Sequence, residues 1–180
     1  MGCKFMDWTN EVDAKEIAGR LVERYEQLFR NIQLDKMAFI RNLSKKSDTP
    51  IKIYGVKYPN SIWNDHVYIM EIFDDCWGTL EQKQRNLAVA QALCSIHTDG
   101  FSESSKNYGK IVKPDIVSFM EVYVMSGGIP NYLNNPSVID PLAGQDEDKF
   151  VIIPRRTIDH CESNSGDVNI ECADMTTGEG

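Results

Sequence analysis

No run of apolar residues among these 180 positions approaches the roughly 18–20 needed to span a bilayer, so no membrane segment is expected. Cysteine is thin and unpaired in pattern. Cys3, Cys76, Cys94, Cys161 and Cys172 are odd in number, widely spaced and free of any Cys-x-x-Cys. That argues against a disulfide framework and suits a reducing cytosol. Positive charge is also short: 19 Lys and Arg face 27 Asp and Glu, a net charge of −8. A chain lacking a basic footprint is a poor non-specific ligand for nucleic acid phosphates. The start, Met-Gly-Cys-Lys-Phe-Met, has neither a basic n-region nor an apolar h-region. Gly2 invites comparison with a myristoylation signal, but Met6 stands where that motif wants Ser or Thr. The expectation is a soluble intracellular protein with no membrane and no direct nucleic acid contact. Its acidic balance serves solubility, and it is compatible with a basic partner surface.

What is present is ordinary for one globular domain. Apolar residues make up 42% and aromatics 9% of the chain, enough for a packed core at this length. Asp13-Ala-Lys-Glu16 has the form of a capping box, and Ile17, Leu21, Tyr25 and Leu28 recur behind it at helical spacing, widened by Val22 and Phe29. This predicts a helix from about Ala14 to Asn31. Met37 to Leu43 reads equally as a strand or a helix tail. Lys45 to Pro50 is a loop. Ile51 to Val56 alternates Ile51, Ile53 and Gly55 against Lys52, Tyr54 and Val56, a strand pattern. His66 to Phe73 is apolar at nearly every position, as in a strand covered on both faces.

Asp74 and Asp75 terminate that strand. They can also be read as paired catalytic carboxylates, but adjacent positions after a strand point apart, which favours the terminator. Thr79-Leu-Glu-Gln82 is a second capping box, predicting a helix to about His97 with Leu80, Leu87, Ala90 and Cys94 on one face. After a Ser-rich loop, Phe101 to Lys110, Pro114 is placed to open another helix, with Ile116, Phe119, Met120 and Tyr123 as its stripe and Gly127-Gly128 as its stop. Asn131 to Gln145 reads as irregular, and Phe150 to Pro154 as a last strand. Residues 157–180 hold six acids and no Lys or Arg, so a disordered acidic tail is expected. The organisation predicted is one domain over 1–154 and a flexible tail over 155–180.

With these elements in place, the stretch His66–Asp75, Trp77, Leu80, Gln82, Gln84-Arg85 and Leu87–Ile96 resembles the phage metallopeptidase family. In that family a buried strand and a Trp lead into a helix carrying His-Glu-Leu-Cys-His. A second helix with an Asp-Val-x-x-Phe core follows, similar to Asp115-Ile116-Val117-Ser118-Phe119 here. The match covers roughly residues 14 to 128 and rests on the order and spacing of several weak features. It implies an α+β, zincin-like fold: a small β-sheet packed with helices.

The departures fall on the chemistry. A helix with His at i and i+4 puts both imidazoles on one face, and the Glu between them polarises a zinc-bound water. Here Gln91 offers a neutral amide, Ala92 has no base, and Ser95 is a poor zinc ligand. Pro114 and Val117 stand where the second helix normally offers a His or an acid, leaving Asp115 alone as a possible ligand. The resemblance therefore implies a phage pseudoenzyme without metal or other cofactor, working in the bacterial host cytoplasm. A scaffold kept without its chemistry acts by binding, here a bacterial host protein for takeover or anti-defence, with a nucleic-acid-handling enzyme suiting the acidic surface. Tyr58, Trp63, Asp74 and Asp75 are the candidate contact residues; the Tyr58 and Trp63 pair reads equally as a cover for the sheet edge.

Two rivals remain open: a divergent hydrolase using Cys94, His97, Asp99 or Asp115, and a structural role in virions or assembly. Against the first, Cys94 lies on the apolar face as a small hydrophobe. His97 sits at a helix end, where the dipole favours a charged imidazole without metal. The oligomeric state is not encoded in any pattern read here.

Overall fold

A computed structural model describes residues 8–56, 65–114 and 119–143. Four strands form one mixed sheet: β1 (Trp8–Asn10), β2 (Met37–Asn42), β3 (Ile51–Gly55) and β4 (Tyr68–Phe73), in spatial order β1-β2-β4-β3. β2 and β4 run parallel, with Met37 opposite Tyr68 and Asn42 opposite Phe73. β1 and β3 close the two edges antiparallel. The central position of β4 explains its nearly continuous apolar sequence, since both of its faces and both of its edges are covered. The segment readable as strand or helix tail is strand β2. β1 has no counterpart in the sequence reading; it is three exposed residues, too short for a period to show.

Strand alternation sorts the sheet into two faces. Met37 and Phe39 of β2, Ile51 and Ile53 of β3, and Tyr68, Met70 and Ile72 of β4 share one face by register. They join Ile17 and Leu21 of the first helix and Leu87 and Leu93 of the fourth in a single core. Met70, Ile72, Leu21 and Leu87 are fully buried; each such side chain contributes about 1.5–3 kcal/mol relative to exposure. The other face carries Asn42, Glu71, Lys52 and Tyr54. Glu71 is buried there, accepting from Asn42 Nδ2 at 2.8 Å and from the Tyr54 hydroxyl at 2.8 Å. These bonds are what make a buried carboxylate tolerable. Phe73, also on this side, lies under the ammonium groups of Lys45 and Lys52.

The first helical stretch is two helices, α1 (Asp13–Arg24) and α2 (Glu26–Phe29), broken at Tyr25 with φ −113° and ψ 48°. Its apolar stripe is the one read from the sequence, but its cap is not. Asp13 already lies inside the first turn, and the Ala14 N–H donates to Glu11 Oε1 at 3.3 Å. Glu11 wins because Arg41 of β2 holds its other oxygen, 3.5 Å away, and its charge sits at the helix N-terminus. Asp13 instead faces Arg85 at 3.7 Å.

After β4, Asp74 and Asp75 do end the strand, but they also open a short helix, α3 (Asp74–Trp77). The capping box of the next helix, α4 (Gln82–Cys94), is Glu81 with Gln84, two residues beyond the Thr79 box. Thr79 donates its hydroxyl to Cys76 O instead. α4 stops at Cys94, short of His97, and it is apolar on more than one face. Leu87, Ala88, Val89, Ala90, Ala92, Leu93 and Cys94 are all buried, because α4 packs against α1 and β3 and is crossed by later chain. A helix enclosed on most sides shows little amphipathic stripe.

The next helix, α5 (Met120–Met125), starts well after Pro114, and residues 115–118 lie outside the described residues. Its buried positions are Val122 and Met125, whereas Met120 is exposed. Gly127 and Gly128 do end it, at φ 80° and 82°, a conformation costly for residues with a Cβ. The following chain, with one 3-10 turn at Tyr132–Asn134, lies across α4 and is fastened by polar side chains. Gln84 Nε2 donates to Leu133 O (2.8 Å) and Tyr132 O (3.3 Å), and Asn86 Nδ2 donates to Asp140 Oδ1 (2.7 Å). Among the described residues no helix is long and apolar enough to cross a membrane. The expected strand at 150–154 and the tail from 155 lie outside the described residues.

Candidate functional site

The helix that the resemblance assigns to the metal motif is α4, the most enclosed helix of the domain. Helical geometry places Gln91 and Ser95 on one face, four residues apart. Ser95 is the C-terminal cap residue, still at helical φ −75° and ψ −12°, so the spacing a two-histidine motif needs is retained. The groups on that face do not supply zinc chemistry. Ser95 Oγ donates to Ala92 O at 2.6 Å, which turns the hydroxyl back onto its own helix. The Ser95 carbonyl accepts from Val112 N–H at 2.7 Å, tying the helix end to the chain that follows. Ala92 is buried and bears no acid or base. A neutral amide, a methyl group and an inward-bonded hydroxyl do not fit the nitrogen, thiolate or carboxylate donors that zinc selects. No step of metal-assisted hydrolysis follows from them. Asp115 lies outside the described residues.

Of the residues proposed for an unorthodox metal site, the described ones, Cys94, His97 and Asp99, form no metal-holding group. Cys94 is buried in the core. His97 Nδ1 lies against Asp99 Oδ1 as an ion-pair contact without the alignment of a hydrogen bond. The Asp99 carboxylate is occupied by its own loop: Ser105 Oγ donates to one oxygen and Asn107 Nδ2 lies 3.2 and 3.3 Å from the two. The Ser105 bond, followed by that of Asn107, holds the Asp99 carboxyl below the usual carboxylate range. Asp99 therefore organises the loop from Thr98 to Lys110. Among the described residues no group of three or more His, Cys, Asp and Glu could hold a metal ion.

Of the candidate contact residues, Tyr58 and Trp63 lie outside the described residues. Asp74 and Asp75 sit side by side on the first turn of α3 and both have partners. Arg41 donates to Asp74 Oδ1 from Nε (2.8 Å) and Nη2 (2.7 Å). Asp75 accepts from the backbone N–H of Ser47 at 3.1 Å and of Cys76 at 2.9 Å. Glu11 and Glu71, not among the candidates that the sequence offers, are the buried carboxylates among the described residues. Their one sequence signal was an acid inside an otherwise apolar strand, as at Glu71.

Trp77, Gln84 and Arg85, which help to carry the resemblance, are used by the fold. Trp77 is buried, with the Arg85 guanidinium 5.5 Å from its ring centroid, and Arg85 Nε donates to Trp77 O at 3.2 Å. Gln84 closes the capping box and reaches the 3-10 turn. The class defined by this arrangement is an α+β domain with a peptidase-type helix stripped of metal donors. The chain matches the family described as "Putative phage metallopeptidase" over residues 6–135, and it belongs to that family. No curated protein and no solved structure matches it.

Proposed function

We propose that this member of the phage metallopeptidase family is a pseudoenzyme that acts by binding a bacterial host protein. The observation that carries this reading is the helix face of Gln91, Ala92 and Ser95, where three motif positions in one family member lack every ligand and the base. A loss confined to one position would leave room for altered catalysis; loss at all three removes both the metal and the proton transfer. The scaffold around these positions, including the Trp77 and Arg85 stack, is well formed in this chain and offers a defined surface for binding. Binding without catalysis takes place in the host cytoplasm on this reading and serves takeover or anti-defence. The contact surface includes Asp74 and Asp75 with Tyr58 and Trp63. The net charge of −8 favours a target with a basic groove, such as a nucleic-acid-handling enzyme.

The test is affinity purification of the tagged chain from host lysate, with zinc measured on the same preparation. One stoichiometric host protein, lost on Asp74→Lys/Asp75→Lys, and no zinc is the expected result. Zinc near about one equivalent, removed by chelator together with a peptidase activity, would overturn the reading in favour of a metalloenzyme. Recovery of the protein in purified virions with no host partner would overturn it in favour of a structural role.

A further inference from the structure

Among the described residues β3 is an edge strand of the sheet, and no partner meets its outward backbone groups. Phe73 N–H donates to Pro50 O and Val56 N–H to Val67 O, both at 2.9 Å, so the even-numbered positions turn their backbone groups toward β4. Alternation then directs the N–H and C=O groups of Ile51, Ile53 and Gly55 away from the sheet. Among the described residues no backbone bond reaches these three on that side. Such an edge is a template for another strand.

We propose that this edge pairs antiparallel with the same edge of a second copy of the chain, across a two-fold axis at Ile53. The strand is self-complementary in that register. Ile53 meets Ile53, and Ile51 meets Gly55, and each of these is a hydrogen-bonded pair, giving about six inter-chain bonds. Between them, Lys52 falls opposite Tyr54 in both directions. Lys52 is the one formal charge on the strand, and this register sets it against an exposed aromatic ring instead of against its own copy. Any register shifted by one residue turns an outward backbone group toward a side already spent on β4, and flips Ile51 and Ile53 off the core face. Two four-stranded sheets then become one continuous sheet of eight, within the usual range.

The test is sedimentation equilibrium of the full chain across a wide concentration range. The mass is expected to rise from 20.5 kDa toward twice that value. Ile53→Pro removes the two N–H groups at the axis without touching the β3–β4 ladder, and should weaken association about tenfold or more. A mass that stays at one chain at every concentration, or a dimer indifferent to Ile53→Pro, overturns the proposal. Should Ile53→Pro fail to fold, Lys52→Cys/Tyr54→Cys decides. Under mild oxidation it should form a covalent dimer joined between positions 52 and 54, as peptide mapping reads; no such cross-link overturns the pairing.

Discussion

Replacing Asn42 by Ala is expected to be among the most damaging single changes outside the hydrophobic core, and the structure sets the size of the loss. Asn42 is buried at the end of β2. Its Nδ2 donates to the buried Glu71 carboxylate at 2.8 Å, and its Oδ1 accepts from the N–H groups of Lys45 (2.9 Å) and Ser44 (3.2 Å). A bond to a charged acceptor is worth about 1.5–3 kcal/mol, and leaving that carboxylate short of a partner costs its desolvation as well. The two loop N–H groups are only part-buried and can turn to water, so they add about 0.5–1 kcal/mol each. The total is about 2.5–5 kcal/mol, a large share of the 5–15 kcal/mol that holds a typical domain. Urea unfolding followed by far-UV circular dichroism measures it directly. Asn42→Asp should be worse at neutral pH, because it sets a second carboxylate against the first. A loss under about 1 kcal/mol for Asn42→Ala would refute the reasoning. It would mean that water reaches Glu71 and that the outer sheet face is not the closed environment its burial indicates.

Three further outcomes follow from named contacts. Burial first, then the hydrogen bond and charge of Glu71, push the Tyr54 phenol up to about 12. An unfolded tyrosine titrates near about 10, so the unfolded chain loses this proton first and stability falls as pH rises from about 10 to about 12. Tyr54→Phe should flatten that window in pH-dependent unfolding, and an unchanged slope would contradict the assignment. Gln84→Ala removes the return bond of the α4 cap and both bonds to the 3-10 turn, costing about 2–4 kcal/mol. Native-state proteolysis between Ile129 and Ala143 should accelerate with it. Gln91→His/Ala92→Glu/Ser95→His should confer zinc binding detectable by calorimetry at a cost of about 1–3 kcal/mol in stability, since Ala92 is buried; failure to bind zinc would mean that the helix face is no longer arranged for a metal.

The elements whose signals are local were readable in the sequence, and those decided by distant partners were not. β4 announced itself because a central strand is apolar on both faces, and the stripe of Ile17, Leu21, Tyr25 and Leu28 because α1 has one buried side. Helix starts were misplaced at both capping boxes. Asp13 and Thr79 satisfy the local pattern, but Arg41 holds Glu11 in place across the sheet, and Gln84 is drawn to Glu81 while bonding the 3-10 turn some fifty residues on. The apolar face assigned to α4 was too narrow because enclosure on several sides erases the period being sought. At the site, the missing donors at Gln91, Ala92 and Ser95 were visible as residue types. The role of Asp99 was not, because Ser105 and Asn107 carry no mark in sequence that they will fold back onto it.

The way α4 is held gives the loss of metal donors a physical meaning. In a zinc peptidase of this type the metal joins the motif helix to a ligand elsewhere in the chain, and that link contributes folding energy as well as catalysis. Here α4 is tied by protein alone: Gln84 to the 3-10 turn, Asn86 to Asp140, Arg85 to Asp13 and Trp77, and Ser95 to Val112. These ties involve α1, α3 and both later segments, so the helix is cross-linked in more directions than one metal could supply. Among the described residues α4 is therefore held in place by protein contacts on several sides. The proposed binding function asks only that these ties keep the surface in shape, and they do so through protein groups.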